Sequence, residues 1–210
     1  MSELAHLAAT VFRKAAGRAR LVVAIAGPPG AGKSTLAEAL LPLFPEGSAA
    51  IVPMDGFHYD NAVLEQRGLL PRKGAPETFD VGGLAATLKR IRAGDEDVVV
   101  PLFDRAADLA RSGAAVIPRG IRFVLVEGNY LLSDEEPWES LAPLFDFTVF
   151  LDVAQPVLER RLVERWLLHG HSSDEAVERA FSNDIPNARR VLARRRPADV
   201  EWKLEEQAWR

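Results

Sequence analysis

A chain of 210 residues with 26 Lys and Arg against 30 Asp and Glu carries a formal charge of -4, the wrong sign for a polybasic nucleic-acid binder. With 48% hydrophobic and 27% charged residues it can bury a core, which excludes a disordered chain and predicts one domain over 1–210. Having no cysteine, it offers no disulfide scaffold, thiolate zinc site or cysteine nucleophile, and a cytoplasmic location is expected.

Leu4, Leu7, Ala8, Val11 and Phe12 recur at helical spacing, which predicts an amphipathic helix over 2–16 ended by Gly17. Met1 to Arg20 lacks the continuous apolar run of an export signal, and the later apolar runs are too short to span a bilayer, so no membrane partner is expected. Leu21 to Ala26 is an uninterrupted apolar run of the kind found in a parallel strand with both faces covered. A Gly/Pro turn then leads into a helix over 34–41, stopped near Pro42, and Ile51 to Met54 is the second strand. From Asp55 to Asp80 the pattern breaks for longer than an ordinary connection, and such segments usually carry function. Asp80 is placed to cap a helix over 81–92 that Gly94 closes. Val98 to Val100 is a brief strand, and Arg122 to Val126 and Phe147 to Leu151 are buried ones. Pro156 suits the first turn of a helix running to Leu168, which His169-Gly170-His171 interrupts. Ser172 and Glu175 have capping-box spacing for a helix through about Leu192. Val200, Trp202 and Leu204 then alternate as an edge strand or covering segment. Strands and helices in alternation predict a three-layer α/β sandwich around a mostly parallel sheet.

Gly27-Pro28-Pro29-Gly30-Ala31-Gly32-Lys33-Ser34 has the full phosphate-loop spacing and sits between a buried strand and a helix, with Thr35 following inside that helix. The backbone N–H groups of such a turn converge on a polyphosphate, the helix N-terminus adds positive potential, Lys33 reaches the outer phosphates and Ser34 can ligate magnesium. ATP and magnesium are therefore the expected cofactors. None of the four asparagines (Asn61, Asn129, Asn183, Asn187) precedes a lysine, so the Asn-Lys-x-Asp guanine reader is absent and a GTPase is disfavoured.

Two acids stand at predicted strand ends, the edge that lines the ligand crevice of a doubly wound sheet. Asp55 is placed to take the proton of an attacking hydroxyl or to hold magnesium through water; the alternative is a turn aspartate bonding local amides. Glu127, after Val124-Leu125-Val126, is a candidate magnesium ligand, or else an acid reaching solvent or a lysine.

The phosphate loop, Met54-Asp55-Gly56-Phe57-His58, Arg72-Lys73-Gly74-Ala75-Pro76-Glu77-Thr78-Phe79-Asp80, Pro101-Leu102-Phe103-Asp104-Arg105 and Val126-Glu127-Gly128-Asn129-Tyr130 together resemble the phosphoribulokinase, uridine kinase and bacterial pantothenate kinase family from about Leu21 to Asn187. The resemblance implies the P-loop nucleoside triphosphate hydrolase fold with a helical lid at about 156–175. It further implies a kinase that moves the γ-phosphoryl group to a hydroxyl of a small metabolite, with Asp55 as catalytic carboxylate, Lys33 on phosphate, and Ser34 and Glu127 at the metal. His58, Asp80, Asp104, Arg105 and Tyr130 fall in segments implied to line the acceptor pocket, although Asp80 as a helix cap and Asp104 with Arg105 as a surface ion pair are the plainer alternatives. Arg161 and Arg165 share one face of the implied lid helix, where guanidinium groups can offset charge on the transferring phosphoryl; a solvated, salt-bridged face is the other account. Asn183-Asp184-Ile185-Pro186-Asn187 is a candidate to approach the acceptor or lid, while Arg194-Arg195-Arg196 reads as an exposed helix end. Uridine kinases carry a Tyr-Asp-Phe and a later base-reading His where this chain has Phe103-Asp104-Arg105 and no such His in the segment after it, which points from uracil toward a sugar or polyol. The alternative in another class is a nucleotide-switched ATPase module acting on a protein partner. A homodimer is left open.

Overall fold

The computed structural model describes residues 2–94 and 96–203. Five parallel strands, β1 (Leu21–Ala26), β2 (Ala49–Pro53), β5 (Phe123–Gly128), β6 (Phe147–Asp152) and β7 (Val200–Lys203), form one sheet in the order β2-β5-β1-β6-β7. β1 and β5 are buried along their whole length because each is covered on both faces. Val22, Ala24 and Ala26 pack into one core with α4 (Val81–Ala93), whereas Leu21, Val23 and Ile25 point the opposite way onto α1 (Glu3–Lys14) and α2 (Lys33–Leu40). Period-two side chains on a strand with no polar face require this third layer.

The remaining helices are α3 (Asn61–Gln66), α5 (Gln155–Leu168), α6 (Ser173–Arg179) and α7 (Ile185–Ala193). Asp80 caps α4 through a bond from the Gly83 N–H at 2.8 Å, and Gly94 ends that helix in the left-handed region at φ 73°. The Ser172 and Glu175 capping box opens α6. Leu204, the last residue of the alternating tail, lies outside the described residues, but Val200–Lys203 does add an edge strand to β6.

Two expectations need correction. The brief strand at 98–100 is β3 (Val98–Asp104), paired antiparallel with an unforeseen β4 (Leu109–Ile117) in a separate two-stranded sheet. β4 contains Ala110-Arg111-Ser112-Gly113-Ala114-Ala115, which lacks β-branched residues, and it is held by pairing with β3 and by the burial of Ile117 at its end. The single helix expected from Ser172 to Leu192 is broken by a π-helical turn, Ala180–Asp184, which separates α6 from α7.

Candidate active site

The Gly27 to Ser34 turn joins β1 to α2, with Gly30 and Gly32 at φ 79° and 90°, conformations that only glycine adopts without cost. Lys33 opens α2, is 9% exposed, and curls back to donate to the Pro28 carbonyl at 3.1 Å. Burial pushes its ammonium below the ordinary pKa, opposed by the Glu127 and Asp55 carboxylates. An ammonium held against its desolvation cost is one that an arriving anion stabilises. Glu127, at the end of β5, is 7% exposed; burial raises its carboxyl, while the Lys33 charge and a bond from the Ser34 hydroxyl favour the anion.

Asp55 lies in the tight turn Met54–Phe57 that follows β2. Its carboxylate accepts from Arg105 Nη2 at 3.4 Å, and Arg105 arrives from the turn of the β3–β4 hairpin. Between them and the α5–α6 arm opens a cavity of about 750 Å³. Pro29 of the phosphate loop, Asp55, His58, Arg105 and Arg165 all face it. His58 donates from Nδ1 to the Asp55 carbonyl at 2.9 Å, its ring lies 3.9 Å from Phe79 and 4.9 Å from Phe103, and burial lowers its pKa, so it presents a neutral ring at neutral pH.

The arm rests directly on the loop. Arg161 Nη1 donates to the Gly30 carbonyl at 3.3 Å, and Leu162 packs so close that a methyl added at Gly30 would meet it at 3.3 Å. Arg165, one turn further, points into the cavity and pairs with Asp184 at 2.7 Å. The outward face of α5 carries the ion pairs Arg160–Glu164 and Glu159–Arg189, so inward and outward arginines divide by helical phase.

Three of the candidate acceptor contacts do not line the cavity. Asp80 is committed to the α4 cap. Asp104 turns into the hairpin, where Oδ1 accepts from the N–H groups of Ala106 and Ala107 at 3.1 Å; the Ala107 bond foremost holds its carboxyl below the usual range. Tyr130 is buried and donates its hydroxyl to the Gly74 carbonyl at 2.7 Å, with burial raising its pKa. Asp80→Ala should therefore lower stability by about 1 kcal/mol, the worth of an N-cap, and leave the acceptor KM unchanged. Denaturant unfolding and steady-state kinetics on one preparation check both halves.

Other cavity residues escaped sequence reasoning. Lys73 bridges Asn61 Oδ1 at 2.6 Å and Asp108 Oδ1 at 2.9 Å, tying α3 to the hairpin turn. Asp108 sits at φ 51°, alone among described non-glycine residues in a left-handed conformation. Lys73 stood inside a recognised motif, which was the available signal. His169, His171 and Trp166 line the arm side, the two histidines standing at the predicted interruption after Leu168. Asn183, Asp184 and Asn187 also line it, as the Asn-Asp-Ile-Pro-Asn segment suggested. Arg194 and Arg195 pair instead with Asp134 and Glu201.

A turn of phosphate-loop sequence between a parallel strand and a helix, sharing one cavity with Asp55, is the arrangement of a P-loop kinase of small molecules. The chain belongs to the Phosphoribulokinase / Uridine kinase family, whose sequence profile matches residues 22–195. It is 47% identical, with a TM-score of 0.89, to a crystal structure from Silicibacter sp. TM1040 provisionally described as a fructose transport system kinase, over 96% of this chain and 100% of that one. It is 38% identical to the uncharacterized protein YggC of Escherichia coli over 192 residues, 90% of this chain and 79% of that protein. A pantothenate kinase of Rhodopseudomonas palustris is 34% identical over 157 residues, 70% of this chain and about half (49%) of the relative. The protein is thus a phosphotransferase acting on a small metabolite, which sets the switch-module alternative aside. No helix among the described residues is long and apolar enough to cross a membrane.

Proposed function

We propose that this protein is an ATP- and magnesium-dependent kinase that phosphorylates a hydroxyl of a sugar or other polyol, with Asp55 as general base. The observation that carries the assignment is that Asp55 and the phosphate loop open onto one cavity, beside Lys33 and Glu127. Asp55 takes the proton as the acceptor oxygen bonds to the γ-phosphorus; the bond from that phosphorus to the β–γ bridging oxygen breaks, and ADP leaves. Lys33, Arg161 and Arg165 offset charge on the phosphoryl oxygens during the transfer.

The donor set fits magnesium. A hydroxyl at Ser34 and a carboxylate at Glu127 are hard oxygen ligands, and no group of three or more His, Cys, Asp or Glu among the described residues forms an all-protein cage. Bound there with waters and phosphate oxygens, magnesium would neutralise polyphosphate charge. His58, Arg105 and Asn129 are the acceptor contacts that the cavity offers, in place of Asp80, Asp104 and Tyr130. The description of the Silicibacter protein as a fructose transport system kinase agrees with a polyol acceptor.

A panel of sugars, polyols, nucleosides and pantothenate, assayed for coupled ADP formation with and without chelator, tests this. Stimulation by a sugar or polyol that chelation abolishes is expected. Stimulation by nucleosides alone overturns the acceptor class.

A further inference from the structure

Asp184 has no task in the chemistry above, yet it is 9% exposed and faces the cavity. One oxygen, Oδ2, accepts from both Arg165 Nη2 and Trp166 Nε1, each at 2.7 Å. Charge-assisted bonds of this length are the strong kind, and two donors on adjacent residues fix both side chains together. The carboxylate is the last residue of the π turn. Pro186, two residues on, has no N–H to return to the Ser182 carbonyl and its ring crowds that carbonyl, which accounts for the widened turn. Leu162, Ala180 and Ile185 form a small buried cluster that pins the turn to α5. Arg165 lies near enough to the loop for its charge to act on Lys33. Trp166, held by the same oxygen, carries the Arg179 guanidinium over its ring at 5.1 Å.

We propose that Asp184 is a positioning residue for phosphoryl transfer: it holds the Arg165 guanidinium directed into the cavity, so that its ordering cost is met before ATP and acceptor arrive. The inference rests on the kinase assignment, which gives Arg165 its task. Without the carboxylate, a long side chain with about 2 kcal/mol of rotamer entropy would spread over other rotamers, solvent-facing ones included.

A double-mutant cycle tests it. Asp184→Asn is expected to lower kcat by about 10- to 100-fold, the cost of a misplaced contact, while the KM for ATP stays within about threefold. In an Arg165→Ala background the same substitution should cost less than about twofold more, because both changes remove one interaction. Proton exchange of the Trp166 indole N–H, followed by NMR, should quicken in Asp184→Asn whatever the activity. If the isosteric variant does not fold, Asp184→Glu takes its place in the cycle with the same expectation. A near-normal kcat in Asp184→Asn, losses that multiply in the double variant, or unchanged indole exchange would each overturn the role. Should the acceptor panel fail, the cycle is read on ATP hydrolysis with water as acceptor, which separates the failure of the acceptor assignment from that of Asp184.

Discussion

Asp55→Asn is expected to bind ATP normally and to lose about 10²- to 10⁴-fold in kcat, the usual worth of a general base. The amide keeps the size of the carboxylate and one acceptor for Arg105, so the turn after β2 should stand. What it loses is the capacity to take a proton. The Asp55 charge also acts on Lys33 and Glu127, so it belongs to the same electrostatic neighbourhood as the phosphate loop. Removing a negative charge there cannot weaken attraction for a polyanion, and ATP affinity should be equal or tighter. Titration calorimetry with ATP and single-turnover kinetics separate the two quantities. A variant that transfers phosphoryl within threefold of the parent rate, or one that simply fails to bind ATP, would remove Asp55 from the chemistry.

Gly56→Ala should damage both stability and activity. A methyl built there would lie 2.3 Å from the Pro101 carbonyl oxygen and 2.7 Å from its carbon, and both belong to the β3 backbone. Backbone in a paired strand cannot step aside as a flexible side chain can, so the turn carrying Asp55 must shift. Overpacking of this kind costs about 1–3 kcal/mol. For a chain of this size that lowers the melting temperature by roughly 3–9 °C, and activity should fall further because the base moves with the turn. Gly82→Ala is the control: its methyl meets only Asp80 Oδ1, at an ordinary 3.6 Å, near the start of α4, so it should be neutral or stabilising by up to about 1 kcal/mol. Calorimetric melts of both variants decide. Equal midpoints would show that the hairpin yields more easily than its pairing suggests.

These two neighbours also show what a sequence can disclose. The glycine of Asp-Gly-Phe was visible as part of a motif, but its reason is a contact with Pro101, 45 positions later in the chain, and no local pattern announces that. The phosphate loop, β1, α2 and the strand ends were legible because periodicity, turn residues and caps act over a few residues. The β3–β4 hairpin was not, since its second strand is held by pairing and carries Arg, Ser, Gly and Ala where an apolar alternation would have marked it. Side-chain direction was legible only in part. Asp80 reads in the sequence as a helix cap or an acceptor contact, and the Gly83 amide claims it, as the Ala106 and Ala107 amides claim Asp104. Tyr130 turned inward to the Gly74 carbonyl. The pair of hydrogen bonds that Asp184 accepts depends on a π turn whose only trace in the sequence is a proline.

The weave of the sheet has a last consequence. Because β5 runs between β1 and β2, with Ile25, Glu127 and Pro53 in register, the strand ahead of the phosphate loop and the strand ahead of Asp55 stand two strand spacings apart, about 10 Å. That gauge belongs to main-chain pairing and is indifferent to side-chain choice. Descendants of this scaffold can retailor the hairpin and arm for a bulkier or smaller guest, while the separation of these two strand ends stays the same.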